Sequence, residues 1–252
     1  MNTADAGSPA GAGSLSPAGI AGDPETSLAD ISPKGHRQRL RRRFLEGGAD
    51  ALPDYELLEL ILCLAIPQRD VKPLAKDLLR RFGGFAGVVT AGLPALLSVP
   101  GIKENSAAAL KLVAAAATRL AREEVVGRPV LSSWNRLIDY CRVAFAHQPR
   151  ENFHLLFLDR KNVLIADETQ QEGTVDHTSA YPREVVRRAL ELNASAVIMV
   201  HNHPSGDPTP SRADVEMTRR IADAVGPIGI LLHDHLVIGR SGTVSFRAQG
   251  LI

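Results

Sequence analysis

The 252-residue chain is poor in aromatic residues, at 4%, although 44% of it is hydrophobic. Leu, Val, Ala and Ile must therefore fill whatever core it builds. An excess of one charge sign is also missing. A formal net charge of +1 excludes a molecule that binds polyanions by its overall charge. There are two cysteines, Cys63 and Cys141, far apart and with no Cys-x-x-Cys partner, which predicts buried thiols in a reducing compartment. No stretch approaches the ~18 consecutive apolar residues of a membrane span. The first residues lack the basic start and apolar run of a secretory signal. The expectation is a cytoplasmic protein with no membrane attachment, long enough for two small domains or one large one.

Three regions follow from composition. Residues 1–30 are rich in Ala, Gly, Ser, Pro and Asp with no apolar period and predict a disordered tail. Residues 31–126 predict a small all-α unit. It opens on a basic helix carrying Lys34, Arg37, Arg39, Arg41, Arg42 and Arg43. An apolar helix runs from Asp54 to Pro67, and another from Val71 to Gly83-Gly84. Residues 93–120 are similar to a helix-hairpin-helix: a short helix, the turn Pro100-Gly101-Ile102, then an Ala-rich helix, with Lys103 in place of the usual second glycine. Such a hairpin and a basic helix can meet DNA phosphates. They serve equally as packing units and solvated surface, so DNA is a candidate partner of this unit and no more. Gly127 and Pro129 mark a linker. Residues 130–252 alternate helices and strands, predicting an α/β unit with a mixed sheet: a helix near 132–146, strands near 152–159 and 163–167, a helix opened by Pro182, a strand from 195, a helix from Ser211 to Val225, and strands at 228–238 and 242–246.

The chemistry concentrates in residues 201–214, His-Asn-His-Pro-Ser-Gly-Asp-Pro-Thr-Pro-Ser-Arg-Ala-Asp. The preceding Ser195-Ala-Val-Ile-Met-Val200 predicts a strand buried on both faces. If it continues through 203, alternation puts His201 and His203 on one side. Asn202, Pro204 and Gly206 then predict a tight turn. Ser211 predicts a helix N-cap, with Asp214 in the first turn. Read alone, Ser211-x-x-Asp214 is only a capped helix start. With the two histidines it completes a metal set of His201, His203 and Asp214, the two-His, one-carboxylate donor set of catalytic Zn²⁺ sites with a position left for water. The absence of thiolates argues against a purely structural site.

This wording resembles the JAMM motif of MPN/JAB-domain metalloproteases, His-x-His followed after seven residues by Ser-x-x-Asp. It is closer still to one branch, the RadC family, a name given for DNA repair. His36-Arg37-x-Arg39-Leu40, Glu56-Leu57-Leu58-Glu59, Asp70-Val71-Lys72-Pro73, Pro182-Arg183-Glu184 and Asp234-His235 fit that family too. The resemblance implies a C-terminal MPN/JAMM domain with one zinc per chain. It implies hydrolysis of a peptide or isopeptide carbonyl in a peptide or protein substrate by metal-activated water. It also implies a glutamate base at the start of the first strand, which makes Glu151 the first choice. Glu168 and Glu172 are rivals at the end of the partner strand, and Glu184 is a weaker one. Ser211 would support the developing oxyanion.

Two further readings stand beside this one. His233-x-His235 is a second pair expected on one strand face, with Asp234 opposite. No carboxylate follows at a helix-turn distance, so a structural or supporting role is expected for Asp234 and His235. The His-Asn-His text also suggests a metal-dependent nuclease, and a DNA-associated protein with a non-catalytic C-terminal domain is the alternative function. His177 is read as a loop histidine without a specific task.

Overall fold

A computed structural model describes residues 33–172 and 181–252. The N-terminal tail, the loop expected at 173–179 and His177 fall outside these residues. The first part is all helical: α1 (Pro33–Gly47), α2 (Asp54–Ala65), α3 (Lys72–Phe82), α4 (Phe85–Thr90), α5 (Leu93–Leu97) and α6 (Glu104–Glu123). Leu58, Leu62, Leu74, Leu78, Val88, Leu96 and Leu110 form its core. The apolar run 60–65 lies on α2 and includes Cys63, which is only half-buried, while Cys141 is fully buried. The hairpin turn is present. Gly101 sits at φ +98°, and a side chain there would meet the Arg69 guanidinium at 2.9 Å. The short helix α4 went unrecognised because two glycines precede it and its Val88-Val89-Thr90 favours strands; both glycines adopt positive φ and start the chain afresh.

The second part contains α7 (Trp134–Phe145), β1 (Asn152–Leu158), β2 (Leu164–Glu172), α8 (Pro182–Glu191), β3 (Ala196–Asn202), α9 (Arg212–Val225), β4 (Leu231–Ile238) and β5 (Thr243–Ser245). The sheet order is β2-β1-β3-β4-β5. The β3–β4 pair is parallel and the others are antiparallel. This is the mixed sheet flanked by helices that the alternation predicted. Leu156, Leu158, Ile198, Val200, Leu236 and Ile238 pack under α7. Phe153, Leu155, Phe157, Val197 and Met199 pack under α8 and α9. Every β3 side chain is thus buried on one face or the other, which explains its unbroken apolar text. Among the described residues no helix is long and apolar enough to cross a membrane.

The linker marked by Gly127 and Pro129 is exposed but anchored at both ends by buried valines, and one expectation, for His233-x-His235, is corrected. Val125 and Val130 are buried in the α7 core, and the Val130 N–H donates to the Asn162 carbonyl at 2.8 Å. Strand β4 is irregular. Val197 pairs with Leu232, but Ile198 pairs with Asp234, leaving His233 as an extra residue, a β-bulge. His233 and His235 consequently point to opposite sides. His233 meets the edge of Trp134 on α7 at 6.0 Å between ring centroids, whereas His235 lies against Phe153 and Phe246.

Candidate metal centre

The site forms where β3 ends. His201 is the penultimate residue of the strand and fully buried. The His203 N–H still donates to the Ile238 carbonyl at 2.9 Å, so the backbone keeps its extended course for one more residue. The two side chains stay on the same side, with Nε2 atoms 3.0 Å apart. Asn202, between them, faces away. It was expected to help form the turn, but it belongs to β3. Its Oδ1 accepts the Asn152 N–H at 2.9 Å, and its Nδ2 donates to the Arg150 carbonyl at 3.0 Å. The middle residue of His-Asn-His therefore holds the segment that carries Glu151.

The turn after His203 is built to hold its ring. Gly206 has φ +94°, a conformation side chains rarely adopt, and the Arg240 guanidinium packs against it. Arg240 donates to the carbonyls of Pro204 and Ser205 at 3.0 and 2.8 Å. The loop then returns so that the Asp207 carbonyl accepts a hydrogen bond from His203 Nδ1 at 2.8 Å. A carbonyl can only accept, so that nitrogen carries the hydrogen and Nε2 presents its lone pair.

Asp214 serves two purposes. Ser211 is the N-cap of α9: its Oγ accepts the Asp214 N–H at 3.2 Å, and Asp214 Oδ2 accepts the Ser211 N–H at 2.7 Å. This is the reciprocal capping box that the spacing suggested. The same carboxylate stands 3.5 Å from His201 Nε2 and 3.6 Å from His203 Nε2. The helix-capping contacts and the approach to both histidines therefore meet in one side chain. Burial opposes charge on Asp214, yet the two histidines and the Ser211 side chain outweigh it and hold the carboxyl far below its usual range. Asp214 raises the pKa of His203 above 6.5 against the effect of burial, with help from the Asp207 carbonyl and the charge of Glu151.

These donors fit a small divalent ion. A tetrahedral ion with ligands at ~2.0–2.1 Å separates its donor atoms by about 3.3 Å, which lies within the observed 3.0–3.6 Å. Among the described residues this trio is the group able to hold a metal.

The other glutamates divide clearly. Glu151 precedes β1 and lies close enough for its charge to be felt at His203. Glu168 is on β2, held by a two-pronged Arg188 contact at 2.5–3.0 Å. Glu184 pairs with Arg187 on α8. Glu172 closes β2, and its side chain lies outside the described part. The basic helix divides too. Arg37 donates to the carbonyls of Cys63, Ile66 and Arg69, which end α2 and its turn. Arg43 pairs with Glu56 at 2.8 Å. Arg41 and Arg42 are exposed.

Sequence reasoning passed over Thr218 and Arg240. His201 Nδ1 lies 2.8 Å from His235 Nε2, and His235 Nδ1 lies 2.6 Å from Thr218 Oγ1. Complete burial, reinforced by the neighbouring histidines, keeps His235 neutral. Thr218 stands four residues after Asp214, on the same side of a helix; that spacing was the available signal. Nothing comparable marks Arg240.

Comparison with known proteins agrees with this arrangement. Residues 131–251 match the RadC-like JAB domain, and residues 31–108 match the UPF0758 N-terminal region. A UPF0758 protein of Rhodobacter capsulatus is 62% identical over 213 residues, covering 84% of this chain and 100% of its own. UPF0758 protein SPO0054 of Ruegeria pomeroyi is 58% identical over 219 residues, covering 87% of this chain and 98% of its own. The chain belongs to the RadC-like UPF0758 family, with a JAB-type sheet domain behind a helical N-terminal region.

Proposed function

We propose that the protein is a zinc-dependent hydrolase of the JAMM type that cleaves a peptide or isopeptide bond. The observation that carries this reading is the convergence of His201 Nε2, His203 Nε2 and the Asp214 carboxylate, with the charge of Glu151 felt at the same place. A bound zinc ion would supply Lewis acidity and make water acidic enough to ionise near neutral pH. The chain supplies the rest. The Glu151 carboxylate takes the proton of the attacking water and returns it to the leaving amine. Asn202 holds the backbone on both sides of Glu151 and so fixes where that carboxylate starts. Ser211 Oγ accepts from Asp214, which leaves its own proton to donate to the carbonyl oxygen as charge develops there.

The test has two parts. Metal analysis of unchelated protein should find about one zinc per chain, and His203→Ala should lose it; metal-free wild-type protein ends the proposal. Glu151→Gln should keep the zinc while lowering peptide or isopeptide cleavage by about 10²-fold or more, and an unchanged rate removes Glu151 as the base. DNA nicking that needs the metal, without peptide cleavage, would move the assignment to a nuclease.

Exposed Arg41 and Arg42 support a second, smaller role for the helical region, docking on a nucleic-acid backbone. DNA affinity should fall with salt and fall further in Arg41→Ala/Arg42→Ala. Arg37 and Arg43 are poorer probes because both are already engaged within the helical part.

A further inference from the structure

We propose that Thr218 and His235 are positioning residues that hold His201 as its Nδ1–H tautomer, turning its Nε2 lone pair toward His203 and Asp214. The proposal rests on the metal-binding reading above and adds the device that orients one of the ligands.

The order of donors and acceptors follows from one fixed end. The backbone carbonyl of Asp214 can only accept, and Thr218 Oγ1 lies 2.5 Å from it, so the single hydroxyl proton goes there. The Thr218 oxygen then faces His235 Nδ1 at 2.6 Å with lone pairs only, and His235 must donate from Nδ1. A neutral ring that carries its hydrogen on Nδ1 has a bare Nε2. That atom lies 2.8 Å from His201 Nδ1, so His201 donates from Nδ1. What remains on His201 is Nε2, 3.0 Å from His203 Nε2 and 3.5 Å from Asp214 Oδ1. The opposite tautomer of His235 would place two acceptors on a hydroxyl with one proton, leaving a buried nitrogen bare.

Threonine hydroxyls commonly bond the carbonyl four residues back in a helix, and that contact alone would have no functional content. Here the hydroxyl is the second link of a closed circuit. It starts at the backbone of one ligand, Asp214 on α9, crosses to β4 through His235, and ends on the ring of another ligand, His201 on β3. His203 obtains the same result more simply, from the Asp207 carbonyl.

The β4 bulge makes the circuit possible. Were His233 paired regularly in the ladder, alternation from Leu232 would send His235 to the α7 side. The bulge is held by Asp234, whose carboxylate accepts from the His235 N–H, the Arg247 N–H and Ser245 Oγ. The His235 ring is packed by Phe246 at 4.5 Å between centroids, which prevents it from turning out of line.

The experiment compares Thr218→Val, which keeps the shape and removes the hydroxyl, with Thr218→Ser, which restores it. Zinc affinity is measured by chelator competition. Thr218→Val should bind about 10- to 100-fold more weakly, the range for loss of a supporting bond to a ligand, while Thr218→Ser stays close to wild type. Long-range ¹H–¹⁵N spectra of the metal-free wild-type protein should show His201 protonated on Nδ1 and not Nε2. Equal zinc affinity in the two variants, or an Nε2–H His201 in the wild type, overturns the proposal. If Thr218→Val fails to fold, the wild-type spectrum decides alone. If the wild-type protein binds no metal, the metal reading fails, and the spectrum still judges the circuit.

Discussion

The chain writes His-x-His twice, at 201–203 and at 233–235, in neighbouring strands of one sheet, and the two pairs have opposite fates. The first keeps strand alternation to its last residue, so both rings reach one point. The second straddles a bulge, so one ring goes to the α7 side and the other behind His201. The residue types are the same, and a single extra residue in the ladder decides between two ligands and none. What surrounds each pair differs as well. The first is followed by a turn that returns a carboxylate to it. The second carries its carboxylate between the histidines, where Asp234 is consumed by backbone and Ser245.

The sharpest way to break the comparison is to remove the carboxylate from each pair. Asp214→Asn keeps an acceptor for the Ser211 N–H, so α9 stays capped, but it withdraws the charged donor. Zinc affinity should fall by about a hundredfold or more, since a three-donor site loses a ligand, with the melting temperature of the metal-free protein little changed above the raised His203 value. Asp234→Ala should do the reverse. It strands three donors around a buried position, at a cost of about 2–3 kcal/mol of stability, read as a shift of the denaturation midpoint. Any loss of zinc should be no larger than that of an unsupported His201.

Acid distinguishes the pairs next. Asp214, the largest influence, raises His203 above its ordinary value of 6.5, so protons compete with the metal at that ring. Zinc affinity should rise with pH through the raised value and level off above it, with a slope no steeper than about tenfold per pH unit for one proton released. In chelated protein the same shift acts on stability in the opposite direction. Its contribution is fully present below pH 6.5 and is lost as pH rises through the raised value. Titration calorimetry in buffers of different ionisation enthalpy should detect the released proton, and a flat affinity profile would remove His203 from the ligand set. His235 takes no part in this range, because burial keeps it neutral.

Much of the sheet part and the grouping of His201, His203 and Asp214 was legible in the sequence, because each element announces itself locally. The doubly buried β3 is an apolar run, the helix start is a capping box, and the ligand spacing spans one turn. What stayed hidden was long-range pairing. No local pattern shows that Ile198 lies opposite Asp234 and not His233, and that one register choice reverses the orientation expected for His233-x-His235. Asn202 read as a turn residue, since its actual task depends on residues 148–152 folding beneath it. The basic helix left two readings open for a related reason: whether Arg37 meets a phosphate or the end of α2 depends on tertiary placement. Composition carries no trace of that.

The smallest effect is expected at His233, and it sharpens the comparison from the null side. Half-buried, this ring meets the edge of Trp134 at 6.0 Å, yet its Nδ1 is buried with no hydrogen-bond partner. His233→Ala therefore loses an aromatic contact and at the same time relieves a stranded nitrogen. The two changes oppose each other, and the net stability change should stay below about 1 kcal/mol. The bulge itself is held by the backbone and by Asp234, so His235 should keep its place and zinc affinity should match wild type. A His233→Ala protein that lost zinc would show that the bulge residue helps form the centre, and that the two His-x-His pairs work as one.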